Sequence, residues 1–144
     1  MMRQLTHLGG APATLAVGLT LTTVGDRRVG LATLLANALS HIVVQALKRA
    51  VARPRPCDAN GTPLALIDLP DAHSFPSGHS AAASAVAGTL ALAYPILASF
   101  VLPLAAGVAY SRVALRVHHA SDVLAGGALG LAGAVAAAYL LFLR

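Results

Sequence analysis

Charged side chains are scarce in this chain: only 10% of its 144 residues are Asp, Glu, Lys or Arg, and Glu is absent altogether. In soluble domains about a quarter of the residues are charged, whereas 57% of this chain is hydrophobic and its mean hydropathy is +0.74. This shortage excludes an ordinary water-soluble domain, because too few charges are present to cover the apolar surplus. The sequence therefore predicts that much of the chain faces lipid.

Cysteine is nearly absent as well, since Cys57 is the one cysteine in the chain. A single cysteine excludes an internal disulfide and any metal site built from cysteines alone. Ten Lys and Arg against five Asp give a formal net charge of +5, which would suit nucleic acid or an anionic membrane surface. The basic residues gather at a few predicted helix ends rather than along one face, so the pattern indicates a small-anion site and no nucleic-acid partner.

Five apolar runs can be drawn, and a helix needs about 20 residues to cross the bilayer core. They predict an all-α fold, a multi-pass transmembrane bundle of about five helices forming one membrane-embedded domain over residues 1–144. The first run is the weakest, because Gly9, Gly10 and Pro12 lie near its start. The predicted helices cover residues 5–24, 29–51, 76–94, 96–113 and 120–143.

Three polar clusters lie at residues 48–56, 76–79 and 111–122, all at predicted helix ends. Because successive helices cross in opposite directions, the ends of the second and fourth helices and the starts of the third and fifth share one face. The sequence therefore predicts that the three clusters meet on that face. The polar connection at residues 59–73 is expected to lie beside them and to influence selectivity.

The first cluster is KRAVARPRP, residues 48–56. Two prolines end the helix there and hold Arg55 in an extended segment. Lys48 and Arg55 could either bind an anion or anchor the helix at the lipid headgroups, and the pattern does not decide between these interpretations. For Arg49 and Arg53, anchoring is the favoured interpretation.

The second cluster is PSGH, residues 76–79. Proline favours the first helical turn, so Ser77, Gly78 and His79 would present unpaired backbone N–H groups at a helix N-terminus, where the dipole also favours an anion. Glycine allows close approach to the backbone, and His79 can donate a proton near neutral pH. An ordinary helix start with a solvent-facing histidine also explains the tetrapeptide.

The third cluster is SRVALRVHHASD, residues 111–122. His118 and Asp122 are four apart and would share one face of a helix, where a carboxylate can orient an imidazole as a nucleophile or base. Arg112 adds a planar fork suited to phosphate oxygens. Two alternatives stay open: Asp122 caps a helix beside two interfacial histidines, or His118, His119 and Asp122 bind a metal, which the nearby arginines disfavour.

In order and spacing, the three clusters resemble the signature of the type 2 phosphatidic acid phosphatase (PAP2) superfamily: K-x6-RP, then PSGH, then SR-x5-H-x3-D. No motif residue is missing. The resemblance implies that His118 is a nucleophile that forms a phosphohistidine, that Asp122 orients it, and that His79 acts first as the acid and then as the base. It also implies a phosphate site that needs no metal or other cofactor, formed by Lys48, Arg55, Ser77, Gly78 and Arg112.

The resemblance implies an integral membrane phosphatase that acts on a lipid phosphate or diphosphate. Polyprenyl diphosphate, phosphatidic acid and phosphatidylglycerophosphate are the candidate substrates. One alternative is a vanadate-binding, haloperoxidase-like protein, which is disfavoured because such enzymes are large and soluble. The other is a non-catalytic membrane protein that binds an anion or a headgroup, for which a histidine nucleophile would be unnecessary.

Membrane members of this family commonly have six helices, whereas the apolar runs predict five, which leaves room for a homo-oligomer or a partner helix. Charge does not orient the bundle, because the arginines outside the motifs are balanced between its two faces. Bacterial members usually act at the outer face of the cell membrane. The resemblance therefore implies a periplasmic or extracellular site, with the GDRR turn at residues 25–28 and Arg144 in the cytoplasm.

Overall fold

The computed structural model describes residues 1–69 and 71–142, and in these ranges the chain forms six α-helices and no strand. A short 3-10 turn, Pro95–Leu97, precedes the fifth helix. The helices are α1 (Met2–His7), α2 (Ala11–Thr23), α3 (Arg27–Val51), α4 (Gly78–Ala93), α5 (Ala98–Ala114) and α6 (Ala120–Phe142).

The predicted all-α, multi-pass bundle is confirmed. Within the described ranges, three helical stretches are long and apolar enough to cross a membrane, namely Arg27–Val51, Pro95–Ala114 and Ala120–Leu141. The predicted end of the last helix at Leu143 and the position of Arg144 lie outside the described residues.

The first predicted helix, residues 5–24, is divided into α1 and α2. Gly10 has an extended backbone (φ −73°, ψ 156°) and precedes α2, and Pro12 occupies the first turn of α2. Proline is favoured there because its ring presets a helical φ and its missing N–H is not needed. At about 1.5 Å per residue α2 is roughly 20 Å long, which is shorter than the bilayer core of about 30 Å.

The two ends of α3 are defined by different devices. At its start, the Asp26 side chain accepts hydrogen bonds from the backbone N–H groups of Arg28 and Val29, which is an ordinary N-cap. At its end, Ala52 adopts a left-handed conformation with φ 47°. A left-handed residue turns the chain away from the helix axis, so the following segment returns over the end of the bundle.

α4 lies at the centre of the bundle, where it contacts α2, α3, α5 and α6. Its residues are mostly Ala, Gly and Ser, and small side chains allow membrane helices to approach closely. The contact with α6 leaves no room for a side chain: a Cβ on Gly126 would collide with the backbone oxygen of Ser77, and one on Gly130 with that of Ala81. This close packing holds the start of α6 beside the start of α4.

The predicted meeting of four helix ends is found in the structure. The backbone N–H of Ser77, just before α4, donates to the carbonyl oxygen of Asp122 in α6 at 3.0 Å. The connection between α3 and α4 folds over the same end, because Ser74 N–H donates to Arg53 at 2.8 Å and Leu66 N–H donates to Leu115 at 3.0 Å. The polar clusters therefore lie together under this connection.

Candidate active site

A cavity of about 530 Å³ lies between α2, α3 and α4. Four of its lining residues on α2 and α3 are exposed and mark a lateral opening, namely Ala11, Leu15, Ala38 and His41. All three motifs contribute to the polar end of its lining, through Lys48, Arg55, Gly78, His79, Arg112 and His118. The other two predicted site residues, Ser77 and Asp122, lie behind this lining and are fully buried.

The two cations of the first motif share one carboxylate, that of Asp71. Nζ of Lys48 lies 3.0 and 2.9 Å from Oδ1 and Oδ2 of Asp71, and Nη2 of Arg55 lies 2.9 Å from Oδ1. Lys48 also donates to the carbonyl oxygen of His73, and Arg55 donates to those of Asp71 and Val117. Asp71 therefore fixes both side chains. The sequence had marked Asp71 only as part of the 59–73 connection.

The charge of Asp71 follows from the same contacts. Burial raises the pKa of this carboxyl, but the hydrogen bonds and positive charges of Lys48 and Arg55 outweigh that effect and leave the pKa below its usual value. Among the described lining residues, leaving the histidines aside, the cations are Lys48, Arg55 and Arg112 and the anion is Asp71. The remaining charge of about +2 is close to balancing that of a phosphomonoester at neutral pH.

The PSGH motif forms the start of α4, although the helix begins at Gly78 rather than at the proline. Ser77 is the N-cap: its Oγ accepts hydrogen bonds from N–H and Oγ of Ser80, and its own N–H donates to Asp122. The backbone and side chain of Ser77 are therefore used within the protein, contrary to the expectation of an unpaired N–H. Gly78 and His79 line the cavity and, as the first helical residues, have N–H groups without an intrahelical partner.

His118 and Asp122 do not share a helix, because His118 lies in the turn between α5 and α6, where Arg116 has a left-handed φ of 56°. Asp122 is in the first turn of α6, and its Oδ2 accepts a hydrogen bond from the backbone N–H of His119 at 2.8 Å. This is the helix-capping geometry that the sequence left open. The same oxygen lies 3.2 Å from Nδ1 of His119 and 3.7 Å from Nδ1 of His118.

The two adjacent histidines differ in their surroundings. The side chain of His118 is 3% exposed and lines the cavity, whereas that of His119 is 36% exposed and is not part of the lining. Burial lowers the pKa of His118 well below its usual value, and the positive charges of Arg55 and Arg112 lower it further. His118 is therefore an uncharged imidazole at neutral pH, which is the form that can act as a nucleophile.

Arg112 is buried and makes a contact that the motifs do not predict. Its Nη1 donates to Oγ1 of Thr6 in α1 at 2.7 Å. Its Nε has no partner among the described residues, and neither does Nδ1 of His118. A buried donor without a partner costs free energy, and an anion at the polar end of the cavity would offset that cost for Arg112.

Arg53 supports Asp122, a role that the sequence did not suggest. Its Nη1 lies 2.9 Å from Oδ1 of Asp122 and 2.7 Å from Oγ of Ser121. Arg53 is therefore more than a headgroup anchor, whereas Arg49 is exposed, as anchoring requires. In an extended segment, side chains two residues apart point to the same side. The spacing of Arg53 and Arg55 was therefore a sequence signal that Arg53 could also contribute to the site.

The metal alternative concerned His118, His119 and Asp122. Among the residues that the structure describes, no group of three or more His, Cys, Asp or Glu side chains is arranged to hold a metal ion. The carboxylate of Asp122 is instead engaged by Arg53, by the backbone N–H of His119 and by the His119 imidazole.

The model of the PAP2 superfamily matches residues 29–144 of this chain. The match begins in the first turn of α3 and includes all three motifs. The chain therefore belongs to the PAP2 superfamily, as the motifs indicated. No curated protein sequence matches it.

Solved structures that are similar to this one include the following two. The chain matches LpxE of Aquifex aeolicus with a TM-score of 0.83 and 24% identity, over 94% of this chain and 82% of that chain; this likeness shows the fold. It also matches a transmembrane PAP2-type phosphatidylglycerolphosphate phosphatase from Bacillus subtilis, with a TM-score of 0.75 and 30% identity, over 96% of this chain and 74% of that one.

Proposed function

We propose that residues 1–144 form one membrane-embedded phosphatase domain that hydrolyses the phosphomonoester or diphosphate headgroup of a lipid. One observation carries this proposal: a cavity with a lateral opening between two helices ends at a buried, cationic site in which Nε of Arg112 lacks a partner. A molecule with an anionic head and an apolar tail suits both parts. Membership of the PAP2 superfamily and the similarity to a phosphatidylglycerolphosphate phosphatase support it.

In the proposed first step, Nε2 of His118 attacks phosphorus and the bond between phosphorus and the leaving oxygen breaks. His79 donates its proton to that oxygen, so a neutral alcohol or a lipid monophosphate departs and a phosphohistidine remains. Asp122 orients His118 through Nδ1 once the two side chains close the gap of 3.7 Å between Nδ1 and Oδ2. In the second step His79 takes a proton from water, the hydroxide attacks phosphorus, and the P–N bond breaks to release inorganic phosphate.

The phosphate oxygens are held, in this proposal, by Lys48, Arg55, Arg112 and the N–H groups of Gly78 and His79. Ser77 contributes by capping the helix from which those N–H groups project. Phosphoryl transfer depends mostly on positioning and on stabilisation of charge. Three cations and a helix N-terminus can supply both, so the proposed mechanism uses no metal.

Phosphate release by the purified chain in detergent, measured with and without EDTA, tests this function. We expect release from at least one of polyprenyl diphosphate, phosphatidic acid and phosphatidylglycerophosphate, and we expect EDTA to leave the rate unchanged. Loss of activity with the chelator would restore the metal alternative. Binding of orthovanadate without hydrolysis of any lipid phosphate would favour one of the other two alternatives, the haloperoxidase-like protein or the non-catalytic anion-binding protein.

We further propose that the site lies at the outer face of the cell membrane. Cys57 is exposed and follows Arg55 on the face that carries the motifs. A membrane-impermeant maleimide should therefore label Cys57 in intact cells. Labelling that requires permeabilised cells would place the site in the cytoplasm.

A further inference from the structure

Besides Ser40, whose hydroxyl donates to the carbonyl oxygen of Asn37, three polar side chains of α3 line the cavity beyond the phosphate site, and the proposed mechanism gives them no role: Asn37, His41 and Gln45. They are four residues apart, so they lie on one face of the helix. At about 1.5 Å per residue, Gln45, His41 and Asn37 lie roughly 5, 10 and 16 Å from Lys48 along the helix axis. They form a polar stripe that runs from the phosphate site along a helix long enough to span the membrane.

Polar side chains inside a membrane-spanning helix are costly and indicate function. At the same depth, α3 presents apolar side chains outside the cavity, since Ile42 is 65% exposed and Val43 is 42% exposed. Asn37 and Gln45 therefore lie on the cavity wall, and the exposed His41 lies at the lateral opening of the cavity. This placement indicates contact with a molecule inside the cavity rather than with the surrounding bilayer.

The stripe has free hydrogen-bonding capacity. Nδ2 of Asn37 donates to the carbonyl oxygen of Thr33 at 3.2 Å, and Nε2 of Gln45 lies 3.4 Å from Nε2 of His41. An amide nitrogen carries two N–H groups and an amide oxygen two lone pairs, so each amide can bind a further group. The described Lys and Arg side chains that line the cavity, by contrast, all come from the three motifs at its polar end.

We propose that Asn37, His41 and Gln45 bind uncharged hydrogen-bonding groups in the backbone of the lipid, which makes the substrate a phosphorylated acyl lipid. Its ester or amide groups would lie roughly 5–15 Å from the phosphate, the distance that the stripe covers. A polyprenyl chain has no such groups, and the second phosphate of its diphosphate would meet no Lys or Arg along this wall. This inference rests on the proposed function and narrows its substrate class.

Ester-linked and ether-linked phosphatidic acids of equal chain length test the inference, because they differ only in their carbonyl groups. With the purified full chain in detergent micelles, we expect kcat/KM for the ester lipid to exceed that for the ether lipid by about tenfold. The reason is that an ether lipid would cover the half-buried amides without offering them a hydrogen-bond acceptor. The variants Asn37→Leu and Gln45→Leu should bring this ratio close to one. Ile42→Ala, at the same depth but outside the cavity, should keep it.

Competition binding of the matching non-hydrolysable phosphonates separates this inference from the proposed function. Ester preference in binding that is lost in Asn37→Leu and Gln45→Leu would support the inference even if the chain hydrolysed no lipid. Equal binding and equal hydrolysis of the ester and ether lipids would overturn it, even with high phosphatase activity. Faster turnover of a polyprenyl phosphate than of the ester lipid would overturn it as well.

Discussion

The helices α3–α6 and the N-terminal pair α1–α2 contribute to the same cavity in different ways. Together with the connections between its helices, the first group corresponds to the residues that match the PAP2 family and contains every residue of the three motifs. The N-terminal pair lies outside that match and forms the opposite wall through Gly9, Ala11, Thr14 and Leu15. Charge and nucleophile thus come from one group, whereas the other supplies mainly shape.

The two groups nevertheless meet at the catalytic end. A Cβ on Gly9 would lie 2.8 Å from the carbonyl oxygen of His79 and 2.6 Å from Cγ1 of Val108, so only glycine allows the turn between α1 and α2 to contact α4. Gly9, one of the two glycines that weaken the first apolar run as a helix, therefore also allows this segment to contact His79. We expect substitutions in α3–α6 to affect the chemical step most, and those in α1–α2 to act through Arg112 and with smaller effect.

The largest effect is expected for the nucleophile. His118→Ala should lower kcat by about 10³-fold or more, because loss of a nucleophile removes a step of the reaction. His119→Ala should lower it only modestly, since His119 is outside the cavity lining, although it removes one partner of Asp122. Initial rates of phosphate release from the best lipid substrate check both values.

Trapping the intermediate decides between the two histidines. With a ³²P-labelled substrate and a quench that avoids acid, wild type and His119→Ala should retain protein-bound label and His118→Ala should retain none. Label that persists in His118→Ala and vanishes in His119→Ala would assign the nucleophile to His119, whose Nδ1 lies closer to Asp122.

An intermediate effect is expected for Arg53. This residue lies in the first motif, and its guanidinium donates a hydrogen bond to the carboxylate of Asp122. Arg53→Gln should lower kcat by about fivefold to tenfold, because hydrogen bonds to charged groups contribute about 1.5–3 kcal/mol and solvent screening of the partly exposed Arg53 reduces this contribution. Arg49→Gln is the matched control and should leave kcat unchanged, since Arg49 is exposed and outside the cavity. An equal loss of kcat in both variants would show that Arg53 acts only as a headgroup anchor.

The difference between the two groups also explains what the sequence could predict. Hydropathy and small residues indicated the helices α3–α6, and motif order brought Lys48 and His118 to one site, because both signals are local in sequence. The Lys48–Asp71 pair and the Arg112–Thr6 bond join residues 23 and 106 apart, and nothing near Asp71 or Thr6 marks them as partners. The sequence showed that Gly9 and Gly10 weaken the first apolar run as a helix, but it did not show that Gly9 contacts α4.

The smallest effect tests the N-terminal contribution directly. Thr6→Val removes the hydroxyl that accepts from Nη1 of Arg112 and nearly preserves side-chain volume. We therefore expect kcat/KM to fall by about threefold to fivefold, the effect of losing one hydrogen bond that contributes about 1 kcal/mol. Thr89→Val is the control, since Thr89 is buried like Thr6, its hydroxyl donates to the carbonyl oxygen of Ala85 within its own helix, and it does not line the cavity. Steady-state kinetics of both variants, compared after a check of thermal stability, give the result. Equal kcat/KM in the two variants would show that α1 only covers the cavity and does not hold Arg112 in position.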